Sequence, residues 1–96
     1  MYGTIARLRV KPGMESELER LSQEEQTAIE GILFQYVYRM DNDPQELRLV
    51  VGFESKEAYH KNAQSPGQHD RYLTMLSMLE EEPEWSDGEI VFSITP

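Results

Sequence analysis

The chain has 96 residues, which is the size of one small domain, and we treat residues 1–96 as that single domain. It carries 18 Asp and Glu against nine Lys and Arg, and the formal charge of -9 repels phosphate backbones and anionic membrane surfaces. No apolar run approaches the roughly 20 residues that cross a bilayer, and residues 1–4 form no basic or apolar leader. We therefore expect a cytoplasmic protein that binds neither nucleic acid nor membranes.

The first half of the chain predicts three strands and one helix. Alternation of side chains predicts strands over residues 2–10, 32–40 and 46–54, and a turn at residues 41–44 makes the last two a hairpin. Between the first two strands, apolar residues at helical spacing predict an amphipathic helix that ends at Gly31. Its apolar face consists of Met14, Leu18, Leu21, Ala28 and Ile29.

The second half predicts a broken helix and a fourth strand. Ser55 occupies an N-cap position before residues 56–64, and Ser65-Pro66-Gly67-Gln68 has the form of a capping box that starts another helix. Pro83 ends that helix, and Asp87-Gly88 predicts a turn into a strand over residues 89–95. The apolar stripe of the second helix contains His69, Tyr72, Leu73, Leu76 and Leu79.

The order β-α-β-β-α-β predicts an α+β protein with the ferredoxin-like fold, in which both helices cover one face of a four-stranded antiparallel sheet. The alternation predicts that an aromatic side of the sheet meets the helices: Phe34, Tyr36, Tyr38, Leu49, Phe53 and Phe92. The other side then carries apolar residues and four arginines: Ile5, Leu33, Val37, Val50, Val91, Arg7, Arg9, Arg39 and Arg48. Such a face predicts a homodimer built from two sheets, and an anion site on the arginines is the alternative.

Three segments carry a resemblance to a known family. They are Lys11-Pro12-Gly13 before an acidic helix, residues 53–59 (FESKEAY) at a strand-to-helix junction, and Ser65-Pro66. On these segments the chain resembles the antibiotic biosynthesis monooxygenases over nearly its full length. The resemblance implies a dimeric α+β barrel and cofactor-independent oxygenation of a small aromatic, polyketide-like or quinol substrate.

Haem-degrading relatives in this family place Trp where this chain has Asn62 and His where it has Tyr72. They also use an Asn on the first strand, which reads Thr4-Ile5-Ala6-Arg7 here. These departures argue against haem degradation.

The candidate catalytic residues are His69, Tyr72 and Asn62. Histidine exchanges protons near neutral pH, a tyrosine hydroxyl can donate to an oxyanion, and an asparagine amide can orient a carbonyl group. Each also has a structural interpretation, as a first-turn histidine, a core tyrosine and a helix-end amide. The family often has His at the position of Asn62, and this departure weakens a general-base role there.

The predicted substrate pocket lies between the sheet and the broken helix. We expect no bound cofactor and no metal, because the chain has no cysteine, no nucleotide-binding glycine loop and no histidine–carboxylate spacing typical of a metal site. His60 is expected to face water. The alternative function is a non-catalytic small-molecule-binding homodimer, and a structural interaction module is a third possibility. The expected lining consists of Tyr36, Tyr38, Phe53, Tyr59, Leu76 and Trp85.

Overall fold

The computed structural model describes the backbone of residues 1–96 and the side chains of residues 1–24 and 29–96, so the predicted packing of Ala28 lies outside the described side chains. The elements are strand β1 (Tyr2–Arg9), helix α1 (Glu15–Ala28), strands β2 (Ile32–Arg39) and β3 (Glu46–Phe53), helices α2 (Lys56–Ala63) and α3 (Pro66–Leu76), and strand β4 (Glu84–Glu89). The strands form one antiparallel sheet in the order β2-β3-β1-β4. This confirms the predicted ferredoxin-like α+β fold.

The predicted helix boundaries are set by local hydrogen bonds and by glycine. Gly31 follows α1 with a φ of 84°, a conformation that costs glycine little. Ser55 caps α2, where its Oγ accepts from the N–H of Ala58 at 3.0 Å. Ser65 caps α3 in the same way, where its Oγ accepts from the N–H of Gln68 at 3.3 Å. None of the helices, over the side chains that are described, is long and apolar enough to cross a membrane.

One hydrophobic core lies between the helices and the sheet. The helix-facing residues of β1 and β3 are those predicted from their alternation, and Leu8, Leu47 and Val10 are almost fully buried. Burying each such side chain contributes about 1.5–3 kcal/mol. The core consists of Ala6, Leu8, Val10, Leu18, Leu21, Leu47, Leu49, Val51, Phe53, Met75, Met78 and Leu79.

Strand β2 contains a β-bulge that the alternation does not reveal. Ile32 pairs with Phe53 and Phe34 pairs with Gly52, so Leu33 is an extra residue between two neighbouring pairs. Because side chains alternate between the two faces of a strand, one extra residue reverses the orientation of every residue after it.

The predicted orientation of β2 beyond the bulge is therefore wrong. Tyr36 and Tyr38 are 56% and 57% exposed and lie on the face away from the helices, together with Phe34. Gln35 and Val37 face the helices instead, opposite Val51 and Leu49 of β3. We name the surface away from the helices the open face; it presents Ile5, Phe34, Tyr36, Tyr38, Arg7, Arg48 and Val50.

Strand β4 begins earlier than predicted. Asp87 and Gly88 do not form a turn, because they pair with Thr4 and Gly3 of β1. The long free edge of β1 supplies backbone hydrogen bonds along this segment, and this pairing outweighs the local turn preference. The predicted strand over residues 89–95, and the predicted contact of Phe92 with the helices, are wrong. Residues 90–96 follow the strand, and three of their apolar side chains are highly exposed: Val91, Phe92 and Ile94.

The arginines of the open face are neutralised within the chain. Glu46 accepts from Arg7 Nε at 2.8 Å and from Arg48 Nη2 at 3.0 Å, while Arg9 contacts Asp43 at 2.7 Å and Glu80 at 3.3 Å. Carboxylates thus occupy the positions that an anion would take, and the alternative of an anion site on this face loses its basis.

We expect Glu46→Gln to lower the melting temperature at neutral pH by a few degrees. The bonds from Arg48 and Arg7 hold the pKa of the Glu46 carboxyl below its usual range. Their contribution is therefore complete above the ordinary glutamate pKa of about 4.3 and is lost as the pH falls through the lowered value. Melting curves from pH 7 to pH 3 should fall less steeply for the variant than for the wild type.

Glu19→Gln is the control for this change. It removes the same charge from the exposed pair with Arg39 and should shift the melting temperature less. Parallel pH profiles for the wild type and Glu46→Gln would contradict the assigned role of Glu46.

Candidate functional site

A cavity of about 450 Å³ lies between the sheet and helices α2 and α3. Its size is within the range of small-molecule sites, and its wall is mainly apolar with several polar groups. The strands contribute Thr4, Ile32, Gln35, Leu49, Val51, Phe53, Trp85 and Asp87, and the helical side contributes Ile29, Tyr59, Asn62, Ala63, Gln68, His69, Arg71, Tyr72 and Met75.

Most of the predicted site residues meet at this cavity. The three candidate catalytic residues, Asn62, His69 and Tyr72, all line it, and their roles stay predictions. Of the predicted pocket residues, Phe53, Tyr59 and Trp85 also line it. Leu76 packs instead against the hydrophobic core. The prediction for Tyr36 and Tyr38 is wrong in location, because the bulge in β2 places both on the open face.

A hydrogen-bond network holds the junction of α2 and α3. Asn62 Nδ2 and Arg71 Nε both donate to Gln68 Oε1, each at 3.3 Å. The predicted capping box is therefore only half formed, since the Gln68 side chain joins this network instead of returning to the Ser65 backbone. Asn62 is oriented by this contact, and it presents its amide at the cavity wall.

Arg71 differs from the other arginines of the chain. Among the side chains described, it has no carboxylate within ion-pair distance, and its only recorded side-chain bond is the one to Gln68. A guanidinium has five N–H donors, so most of those of Arg71 remain free at the cavity wall. The arginines that do pair with carboxylates are Arg7, Arg9, Arg20, Arg39 and Arg48.

Tyr59 and Asp87 form a hydrogen-bonded pair in the cavity wall. The Tyr59 hydroxyl donates to Asp87 Oδ1 at 2.8 Å, and its ring packs against Tyr2 and Phe53 at centroid distances of 5.3 and 5.5 Å. Burial, together with the bond and charge of Asp87, raises the pKa of Tyr59 to about 12. Tyr59 therefore stays neutral at working pH and acts as a donor, which leaves the Asp87 carboxylate as the anionic group of this wall.

Gln35 brings an unpaired amide to the cavity. Its side chain lines the cavity, but its Oε1 and Nε2 are both buried and neither has a hydrogen-bond partner in the structure. A buried amide without partners destabilises the fold by roughly 1–3 kcal/mol. No other side-chain nitrogen or oxygen among the residues described is both buried and unpaired.

Comparison with known proteins agrees with the architecture. Residues 1–72 match the family model of the antibiotic biosynthesis monooxygenases. The chain belongs to this family. No curated protein matches it in sequence.

Several solved structures share the monooxygenase-family fold of this chain. A conserved protein from Methanosarcina mazei Go1 is 20% identical with a TM-score of 0.77, covering 91% of this chain and 89% of its own. Rv0793 from Mycobacterium tuberculosis is also 20% identical with a TM-score of 0.77, covering 98% of each chain. A structure described as an antibiotic biosynthesis monooxygenase is 15% identical with a TM-score of 0.74, covering 95% of this chain and 99% of its own. At these identities the likeness establishes the fold.

Three polar side chains of the cavity are not predicted from the sequence: Gln35, Asp87 and Arg71. Strict alternation along β2 places Gln35 on the wrong face, and Gly52 is the available signal, because a glycine inside a strand often marks a bulge or a close approach. The ring of Phe34 lies on Gly52, and a Cβ there would overlap it. Asp87 was missed because Asp87-Gly88 favours a turn. Arg71 gave no signal, since only the structure shows that it has no acidic partner.

The described residues contain no cluster of three or more His, Asp or Glu side chains that could hold a metal ion. His60 is exposed, does not line the cavity, and packs its ring against Tyr59 and Tyr2. The polar side chains that line the cavity, Asn62, His69 and Tyr72 among them, can donate or accept hydrogen bonds.

We expect Gln35→Leu to raise the free energy of unfolding of the ligand-free protein by about 1–3 kcal/mol, because it removes a buried amide that has no partner. Chemical denaturation measures this change. Gln45→Leu is the matched control, since the Gln45 amide donates to Val10 O and to Glu80 Oε1, each at 3.2 Å, and its loss should lower stability. A lower free energy of unfolding for Gln35→Leu would contradict the conclusion that the Gln35 amide is unpaired.

Proposed function

We propose that the cavity binds a small aromatic or quinol substrate and that the protein oxygenates it with O₂ without a bound cofactor. The observation that carries the proposal is the placement of His69, Arg71, Tyr72 and Asn62 at one aromatic cavity. Membership of the monooxygenase family supports the same reaction class. A phenol or hydroquinone is neutral, so the net charge of -9 does not repel it before it enters.

The proposed first step is removal of a proton from the substrate. His69 accepts the proton at the cavity wall, and the guanidinium of Arg71, which has no carboxylate partner among the described side chains, stabilises the resulting anion. Tyr72 and Asn62 donate hydrogen bonds to the substrate oxygen that becomes electron-rich. Tyr59 donates a hydrogen bond to the Asp87 carboxylate in the cavity wall, which partly offsets the repulsion between that carboxylate and the developing negative charge.

The second step is oxygen transfer from O₂ to the substrate carbon. The substrate anion passes one electron to O₂, and the two radicals combine to form a C–O bond. Loss of the remaining C–H proton breaks the O–O bond and releases hydroxide, which the first proton converts to water. For an anthrone, one CH₂ group and one O₂ thus become one C=O group and one water.

Oxygen consumption with anthrones and hydroquinones tests this proposal. We expect uptake by the wild type above the spontaneous rate, and a loss of about 100-fold in His69→Ala, because general-base catalysis contributes at least that much. Tyr72→Phe and Arg71→Gln should each reduce the rate by about tenfold or more. The matched controls are His60→Ala and Tyr38→Phe, which change the same residue types outside the cavity and should leave the rate unchanged.

The alternative function, ligand binding without turnover, is favoured by one observation. The His69 imidazole is exposed and has no hydrogen-bond partner among the described residues to orient it as a base. Saturable binding of these phenols with no oxygen uptake above background would reject the oxygenase proposal and retain the binding module.

We also propose that two copies of the chain pair through the open face. Ile5, Tyr36 and Tyr38 are each more than half exposed there, and the arginines between them are already neutralised, so the face is apolar and locally balanced in charge. The exposed apolar side chains of residues 90–96 add further surface for the second copy.

Light scattering after size exclusion tests the homodimer. The wild type should elute with twice the 11.2 kDa mass of the chain, and Tyr36→Glu should elute as a monomer because it places a charge inside the contact. Leu73→Glu is the control, since Leu73 is 51% exposed but lies on α3, away from the open face. A wild type that stays monomeric at millimolar concentration would reject the dimer.

A further inference from the structure

Among the described residues of the cavity, Gln35 is the one whose polar side-chain atoms are both buried and without a hydrogen-bond partner. Its Oε1 and Nε2 are both buried and both lack a partner. Buried polar atoms in folded proteins are paired in the large majority of cases, and an exception calls for a physical reason. The chain retains this amide although an apolar side chain of similar size would fit the same strand position at lower cost.

Among the described side chains, Gln35 has no hydrogen-bond partner in the cavity wall. Its cross-strand neighbour is Val51, and the next helix-facing pair along the two strands is Val37 with Leu49. Ile29 and Ile32, which also line the cavity, are apolar too. At the helix junction, Asn62 and Arg71 both donate to Gln68 and neither donates to Gln35. A partner for the amide must therefore come from a molecule that enters the cavity.

We propose that Gln35 is a ligand-binding residue that selects aromatic molecules with oxygen atoms on neighbouring carbons, one donating and one accepting a hydrogen bond. The inference rests on the cavity being the ligand site of the proposed function. A carboxamide carries its acceptor and its donor on the same carbon, so two ligand atoms that satisfy both must themselves be neighbours. A vicinal diol or a hydroxyl beside a carbonyl meets this requirement.

Binding changes the position of the amide. In the described structure its two polar atoms are covered, while the side chain as a whole borders the cavity. Rotation about the side-chain bonds moves the amide into the cavity, where the ligand oxygens replace the missing partners. The free-energy cost of the unpaired amide is thus relieved only when the ligand carries neighbouring donor and acceptor oxygens. An aromatic ligand without these oxygens gains no binding free energy from Gln35.

Calorimetric titration under nitrogen tests the inference independently of turnover, because no O₂ is present. The two probes are isomers, a naphthalenediol with hydroxyls on adjacent carbons and one with a hydroxyl on each ring. We expect the wild type to bind the adjacent isomer about tenfold or more tightly, and Gln35→Leu and Gln35→Met to bind both isomers equally. Gln45→Leu, which changes an amide outside the cavity, should keep the wild-type preference.

The side-chain amide of Gln35 provides a second measurement that a purely structural role would not affect. In ¹⁵N-labelled protein its NH₂ resonances, assigned by their absence in Gln35→Leu, should shift with the adjacent isomer and stay nearly unchanged with the other. Equal binding of the two isomers by the wild type, or a preference that persists in Gln35→Leu, would overturn the role of Gln35 and leave the proposed function standing. Absence of binding by either isomer would overturn both.

Discussion

The β-bulge at Leu33 determines which side chains of β2 face the helices and which lie on the open face. Before the bulge, Ile32 faces the helices, and beyond it Gln35 and Val37 do so while the tyrosines face outward. The extra residue is tolerated because Gly52, on the neighbouring strand, has no side chain and the ring of Phe34 lies on its backbone. The same irregularity therefore supplies aromatic residues to the open face and a polar amide to the cavity.

The arginines at the surface differ from the arginine at the cavity in whether a carboxylate neutralises them. The chain is strongly acidic, yet five of its arginines are held by carboxylates at the surface. Arg71 is left at the cavity wall with most of its donors free. For the phenol that we propose as substrate, the neutral molecule would experience little of the overall negative field, whereas its anion would meet a guanidinium in an apolar environment, where the attraction is strongest. On that proposal, the arrangement favours ionisation after entry over capture of a preformed anion.

Local signals were sufficient for the order of elements and for much of the site. Ser55, Ser65 and Gly31 mark helix ends through bonds and angles that depend on a few adjacent residues, so their sequence patterns were reliable. Those boundaries were enough to predict four residues of the cavity: Phe53, Asn62, His69 and Tyr72. The orientation of Tyr36 and the start of β4 depend on pairing with distant strands, which no short pattern encodes. Among the described side chains, Arg71 has no carboxylate partner and the Gln35 amide has no partner at all, and both facts are likewise properties of the assembled fold.

Trp85 is the only tryptophan of the chain, and it lies in the cavity wall on β4, opposite Ala6. Trp85 is 43% exposed, so its indole senses both solvent and whatever fills the space beside it. The unmodified protein consequently has a built-in optical signal. The emission wavelength of a single fluorophore can be used to screen unlabelled compound collections for occupants of this site, with no need for a dye or a known reaction.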